Sequence, residues 1–266
     1  MKPESVVIPL HKIHETAVIH PNARLGKDVE IGPYAVIGEN VLIGDGTQIG
    51  AHVVVDGWTS IGKNCVIYPS ASIGAEPQDL KFRGEKSYVF IGDNTKIREF
   101  ATINRATGEG EETRVGSNCL LMAYTHLAHD VQLGNRVIMS NSAQCAGHVI
   151  VEDFAILAGA CGVHQFARIG KHAFVGGMTG VAMDVPPFCI AAGARAELAG
   201  LNTVGLQRHG FTEEQLAHLK DAYRLLFRSK LTLKEAVERV RAEVPADANV
   251  EHLLKFVEGS QRGLTR

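Results

Sequence analysis

The sequence predicts a mainly β protein, a long solenoid of parallel strands followed by a small α-helical domain. Three observations carry that expectation. A six-residue frame of aliphatic side chains runs through most of the chain. Glycine is abundant, at 28 residues, and recurs at one place in the frame. Near residue 190 the frame stops and capped helical segments begin.

The frame starts at Ile13 and steps by six through Ile19, Leu25, Ile31, Ile37, Ile43, Ile49, Val55, Ile61, Ile67 and Ile73. It resumes at Ile91, Ile97 and Ile103, then runs from Val115 to Val181. Only Asp79, Glu85 and Glu109 interrupt it. The residue two places before each aliphatic is small or β-branched, as at Ala17, Ala35, Val41, Thr47 and Ala71, and glycine often follows, as at Gly26, Gly44 and Gly116. Each hexad therefore supplies one large and one small inward side chain, and a turn that glycine makes easily. A period of six fits neither a helix nor a plain alternating strand. It fits a solenoid with one hexad per flat face, so three faces make a coil. About nine or ten coils result, stacked roughly 4.8 Å apart.

Two excursions leave the frame in register, at about 75–90 and 105–114. Loops on a rigid scaffold are common places for function. The expected solenoid domain is 1–190 and the helical domain 191–266. In the latter, Thr212-Glu213-Glu214-Gln215 reads as a capping box opening a helix to about Ser229. Thr232 opens a second to about Val244, and a third covers about Val250 to Glu258. Such a tail would cover an open solenoid end. Lys220, Arg224 and Arg228 form a basic stripe on the first of these helices, a candidate dock for an acidic partner.

Composition excludes several classes. A net charge of −2 gives no general case for a nucleic-acid partner. The apolar run Val6 to Leu10 is too short and too broken by proline for a signal sequence, and no stretch reaches the ~18 apolar residues of a membrane helix. Five cysteines, none in a C-x-x-C pair, read as buried reduced thiols. The expectation is a cytoplasmic protein without stable membrane insertion.

The chemistry gathers around Thr125-His126-Leu127-Ala128-His129-Asp130. Positions one coil apart stack, so His129 aligns with Gly147 and Gln165, and Asp130 with His148 and Phe166. His164 lies one column away on the third coil, and His126 three positions earlier on the first. The other histidines, such as His11, His52, His172 and His218, read as structural. The cluster admits two uses. Imidazoles can ligate zinc, or one can act as general base with a carboxylate orienting it. Adjacent strand residues point to opposite faces, so Asp130 can orient His129 only at a corner.

The repeat resembles that of the hexapeptide-repeat acyltransferases, which implies a left-handed parallel β-helix of triangular section. The resemblance sharpens over nearly the whole chain to the UDP-N-acetylglucosamine O-acyltransferase family. It is carried by Gln78-Asp79-Leu80-Lys81, His126 to Asp130, Ala146-Gly147-His148 and Val163-His164-Gln165-Phe166. Val175-Gly176-Gly177, Asp184-Val185-Pro186-Pro187 and Gly205 to Phe211 continue it.

That resemblance implies an acyl carrier protein as acyl donor, UDP-N-acetylglucosamine as acceptor, a homotrimer, and no cofactor or metal. It implies His129 as general base, Asp130 as its orienting residue and the Gly147 N–H as oxyanion donor. Gln78, His126, His148, His164 and Gln165 fall at substrate-contacting positions. Asp79 and Lys81 fall on a loop reaching from a neighbouring subunit. Asn202 and Arg208 fall near the nucleotide phosphates, and Gly177 where the acyl groove is limited. The chain departs from the family at His209, where a second arginine is frequent, and at Val204, where an acidic residue is frequent. Acyl chain length stays open, as does a 3-amino in place of a 3-hydroxyl acceptor. Two other readings compete: a zinc carbonic anhydrase on the same fold, and a non-catalytic solenoid.

Overall fold

A computed structural model describes residues 12–266. The apolar run Val6 to Leu10 and His11 lie outside the described residues. The chain winds as a left-handed parallel β-helix whose faces are sheets of nine, eight and ten strands among the described residues. Most strands are two residues long and pair with the strand one coil away. Thus Val18–Ile19 pairs with Val36–Ile37, and His126–Leu127 with Gln144–Cys145.

The frame residues point inward. Ile31, Ile37, Ile73, Ile103, Leu127 and Val163 are all buried, with their small partners Ala35, Val41, Ala71 and Ala101. All five cysteines are buried and unpaired, and burial pushes the Cys119 and Cys161 thiols up to about 11.

Glycine has a different job from the expected one. The corners are turned by non-glycine residues in left-handed backbone, among them Tyr124, Asp130, Ser142 and His148 at φ near 60° (62, 62, 61 and 60°). Each costs roughly 1–2 kcal/mol for an L-residue. Burying each large aliphatic returns roughly 1.5–3 kcal/mol, so three per coil outweigh three strained corners. The glycines after the aliphatics instead sit where coils touch. A Cβ on Gly116 would lie 2.3 Å from the Gly134 carbonyl oxygen, and one on Gly170 2.3 Å from Pro187 N.

The excursions leave the ladder intact. Tyr88–Ile91 pairs with Trp58–Ile61, and Thr102 pairs with Ser72 below and His126 above. The first loop is pinned by Arg105, which donates to the Gly74 carbonyl, pairs with Glu76 and covers Phe82. Asn104 Nδ2 also donates to Glu76 O.

Cys189–Ala192 continues the parallel ladder beside Phe174–Val175, and Glu197–Leu201 turns back on it as an antiparallel hairpin, which the periodicity did not reveal. Helices follow: α1 Thr203–Arg208, α2 Glu213–Phe227, α3 Leu233–Glu243 and α4 Ala248–Glu258. Both expected capping boxes, at Thr212 and Thr232, are formed. The helices bury their own cluster, including Leu206, Leu219, Leu253 and Phe256. The basic stripe is not a free trio. Arg224 pairs with Asp221, and Arg228 donates to Leu198 O, tying α2 to the hairpin.

His172 stacks on Phe154 with ring centroids 4.6 Å apart and meets His209 and Phe211 edge-on, where the last coils meet the helical tail. Burial, helped by the His209 ring and Lys171 and opposed by Asp153, holds its pKa at about 4. An unfolded histidine takes its proton near pH 6.5, the folded one only near 4. The stabilisation is therefore complete above pH 6.5 and is lost as pH falls through 4, by roughly 3 kcal/mol. The melting temperature of wild type is expected to drop between pH 7 and 4.5, and His172→Phe to flatten that drop. An identical slope in the variant would refute the assignment.

Candidate active site

His129 follows the strand His126–Leu127 at a corner that Asp130 turns in left-handed backbone. That conformation swings the two side chains together. His129 Nδ1 lies 2.7 Å from Asp130 Oδ2, so the condition for orientation is met. Asp130 is held in turn: its N–H donates to Thr113 Oγ1 and its carboxylate accepts from Thr107 N. Both groups are well covered, at 14% and 9% side-chain exposure. With Nδ1–H given to the carboxylate, Nε2 keeps its lone pair for a proton acceptor's role.

Nε2 lies 4.0 Å from Asp79 Oδ2 of the same chain. Within one chain the loop already brings Asp79 to the base. The loop folds onto its own coils because Arg105 and Asn104 bind its root. The Lys81 N–H is the main influence holding the Asp79 carboxyl below the usual carboxylate range, with smaller help from His129 and Lys81 charge. Lys81 itself is exposed.

His148 meets the His129 ring edge-on at 5.1 Å, stacks on Phe166 and places Nε2 3.7 Å from Asp130 Oδ2. Gly147 lies directly against His129: an added Cβ would be 2.5 Å from Cε1 and 2.6 Å from Nε2 of the ring. The Gly147 carbonyl accepts from Phe166 N, whereas its N–H has no acceptor among the described residues. His126 Nδ1 sits 2.7 Å from Thr102 Oγ1, and burial lowers its pKa.

His126, His129 and Gly147 line a groove of about 650 Å³ with Gln78, Gln144, His164, Ala182, Ala194 and Arg195 among its walls. Its floor runs bare where Gly162 and Gly180 stack in register. Gln165 is exposed beside His164. Eight expected site residues are outside its lining in the single chain: Asp79, Asp130 and His148 beside the base, the exposed Lys81 and Gln165, and Gly177, Asn202 and Arg208. Gly177 is exposed, with Gly159 O 3.4 Å from where its Cβ would be. Asn202 caps α1 by accepting from Gly205 N and donates to His172 O. Arg208 ends α1, exposed. Thr113 gave no warning in the sequence, because threonine suits the small inward position as well as alanine does, and Thr107 gave none because it contributes only a backbone N–H from a loop.

His129, Asp130 and His148 offer ligand atoms within 4.8 Å of one another. Two histidines and a carboxylate could hold a cation, but the 2.7 Å His129–Asp130 separation is that of a hydrogen bond. Tetrahedral zinc ligands at ~2.0–2.2 Å bonds stand further apart.

Residues 184–265 match the family model described as UDP N-acetylglucosamine O-acyltransferase, domain 2, and residues 11–44 and 40–75 match the bacterial transferase hexapeptide model. The chain is 52% identical over 256 residues to the acyl-(acyl-carrier-protein)–UDP-N-acetylglucosamine O-acyltransferase of Myxococcus xanthus, covering 96% of this chain and 99% of that one. The protein of the same name from Thermodesulfovibrio yellowstonii is 51% identical, covering 97% and 100%. The crystal structure of a UDP-N-acetylglucosamine acyltransferase from Bacteroides fragilis superposes with a TM-score of 0.93 at 42% identity, covering 95% and 99%. That of the Francisella novicida UDP-N-acetylglucosamine acyltransferase superposes with 0.92 at 40%, covering 96% and 94%. Such agreement runs through coils and helical tail alike, and the chain belongs to the UDP-N-acetylglucosamine O-acyltransferase family.

Proposed function

We propose that the protein transfers an acyl chain from acyl carrier protein to the 3-hydroxyl of UDP-N-acetylglucosamine, the first step of lipid A biosynthesis. The observation that carries this reading is the corner dyad. His129 is oriented by Asp130 at 2.7 Å, beside a groove of about 650 Å³.

In the proposed reaction Nε2 takes the hydroxyl proton while the sugar oxygen bonds to the thioester carbonyl carbon. The resulting oxyanion is met by the Gly147 N–H, a role usually large in acyl transfer. The C–S bond then breaks, and the imidazolium returns its proton to the leaving thiolate. Asp130 stabilises the imidazolium between the two transfers. Asp79 and His148 stand beside the base, Gln78, His126 and His164 line its groove, Lys81 and Gln165 are exposed, and the proposed roles for all seven are contacts with the substrates. Asn202, Arg208 and Gly177 lie outside the groove of their own chain, which fits a site completed by a neighbouring subunit.

A homotrimer is part of the proposal. Val18, Val36 and Val54 stack in register on the His126 face and stay 63, 41 and 39% exposed, as an apolar column awaiting a partner would. No described helix is long and apolar enough to cross a membrane, and the proposed setting is the cytoplasm.

The test is a transfer assay with UDP-N-acetylglucosamine and carrier proteins bearing chains of different length, with and without a 3-hydroxyl. A 3-amino sugar nucleotide serves as the competing acceptor. Formation of the 3-O-acyl sugar nucleotide is expected. No transfer by folded protein with any donor, or a strict requirement for stoichiometric zinc, would sink the reading.

A further inference from the structure

The C-terminal segment joins the last coil through an isolated parallel bridge between Leu264 and Asp184. Asp184, fully buried, organises it. Its carboxylate accepts from Ser260 Oγ and from Arg168 N, its N–H donates to Gly263 O, and its carbonyl accepts from Thr265 N. Leu264 and Thr265 are buried in this join. Between its anchors the segment presents Arg262 to the rim of the groove. There Nη2 donates to the carbonyl of groove-lining Ala182 and approaches His164 Nδ1 at 3.1 Å.

His164 Nδ1 has two neighbours with opposite demands. The Gln165 carbonyl oxygen, at 3.1 Å, can only accept. The Arg262 guanidinium can only donate. One nitrogen cannot serve both. With Arg262 in place, Nδ1 must offer its lone pair, since a charged donor makes the stronger bond. The ring's hydrogen is then on Nε2. Without Arg262, Nδ1–H bonded to Gln165 O becomes the favoured form, and Nε2 turns into an acceptor. Nε2 is the nitrogen left for the groove, so the choice of tautomer sets what His164 presents there.

We propose that Arg262 is a positioning residue that holds His164 as the Nε2–H tautomer, making it a hydrogen-bond donor to a phosphate oxygen of a bound substrate. The assignment rests on the acyl-transfer reading for its ligand. A phosphate is the chemistry that a donor suits and an acceptor repels. Both proposed substrates carry one: the diphosphate of the sugar nucleotide, and the phosphodiester of the carrier protein's prosthetic arm.

The test compares wild type with Arg262→Ala and Arg262→Gln in protein labelled with 15N-histidine, using His164→Gln to assign the signal. Wild type is expected to show a pyridine-like Nδ1 and a pyrrole-like Nε2. Arg262→Ala is expected to exchange them, and Arg262→Gln, which keeps a donor, to restore the wild-type pattern. Steady-state kinetics locate the phosphate. In Arg262→Ala the KM of one substrate is expected to rise roughly fivefold or more, the size of one lost hydrogen bond, with kcat within about twofold. A rise confined to the sugar nucleotide assigns its diphosphate, and one confined to the acyl carrier protein assigns the prosthetic arm. An unchanged tautomer, or unchanged KM for both, overturns the proposal. Absent transfer by wild type alongside a tautomer exchange would instead overturn the acyl-transfer reading and leave the Arg262–His164 relation standing.

Discussion

His129→Ala is expected to lower kcat by roughly 10²–10⁴, the range that a positioned general base contributes. The change removes the nitrogen that takes the hydroxyl proton. It should leave KM for both substrates within a few-fold, because His126 and His164 of the groove wall and His148 beside it remain. The melting temperature should move little, since the ring is held by polar contacts at a corner and sits outside the aliphatic core. The double variant His129→Ala/Asp130→Asn should lose no more than His129→Ala alone. Asp130 touches the chemistry only through the imidazole it orients, and groups that act as a unit are not additive. The check is single-turnover acyl transfer beside thermal denaturation. A variant retaining a tenth or more of wild-type kcat would remove His129 from the role of base.

Gly147→Ala is expected to be nearly as damaging, for a steric reason. The new methyl would lie 2.5 Å from His129 Cε1 and 2.6 Å from Nε2, far inside van der Waals contact. The ring cannot tilt away freely, because Nδ1 is bound to Asp130, which Thr113 and Thr107 hold. Either the ring moves and Nε2 leaves its position, or the coil spacing opens and the Gly147 N–H shifts. Both alter the reacting geometry, where about 1 Å costs on the order of 10²-fold in rate. The expected result is a fall in kcat of at least ~10² with a smaller change in KM. The diagnostic is the His129 ring itself: its imidazole NMR signals should move in Gly147→Ala while the fold persists. Wild-type kcat with an unmoved ring would contradict the packing described for this corner.

The inward half of this molecule is readable from the chain. The positions from Ile31 to Val181 that hold the frame are the positions that fill the core, because a solenoid repeats one local environment and periodicity reports that environment directly. The two capping boxes were equally visible, since a cap is a matter of residues three apart. The stacking of His129 with Gly147 and His148 followed from coil arithmetic alone.

The period does not say what the outward residues meet. The hairpin Cys189–Ala192 with Glu197–Leu201 carries no hexad, and α1 is too short for a periodic signal. Arg228 looked like part of a basic stripe and is spent on the Leu198 carbonyl. Nor does the period show that Asp79 comes within 4.0 Å of its own chain's base.

The sequence by itself determined the coil, its core and the column holding the base, because those depend on separations that the repeat makes regular. Only the tertiary structure decided how the base is held. The Asp130 corner required a left-handed φ that no residue type announces, and its carboxylate is gripped by a loop. Arg262 reaches His164 across 98 residues of sequence from a segment bridged to the last coil. Contacts of that kind are set by the closing of the solenoid and its tail, and a repeating pattern carries no record of them.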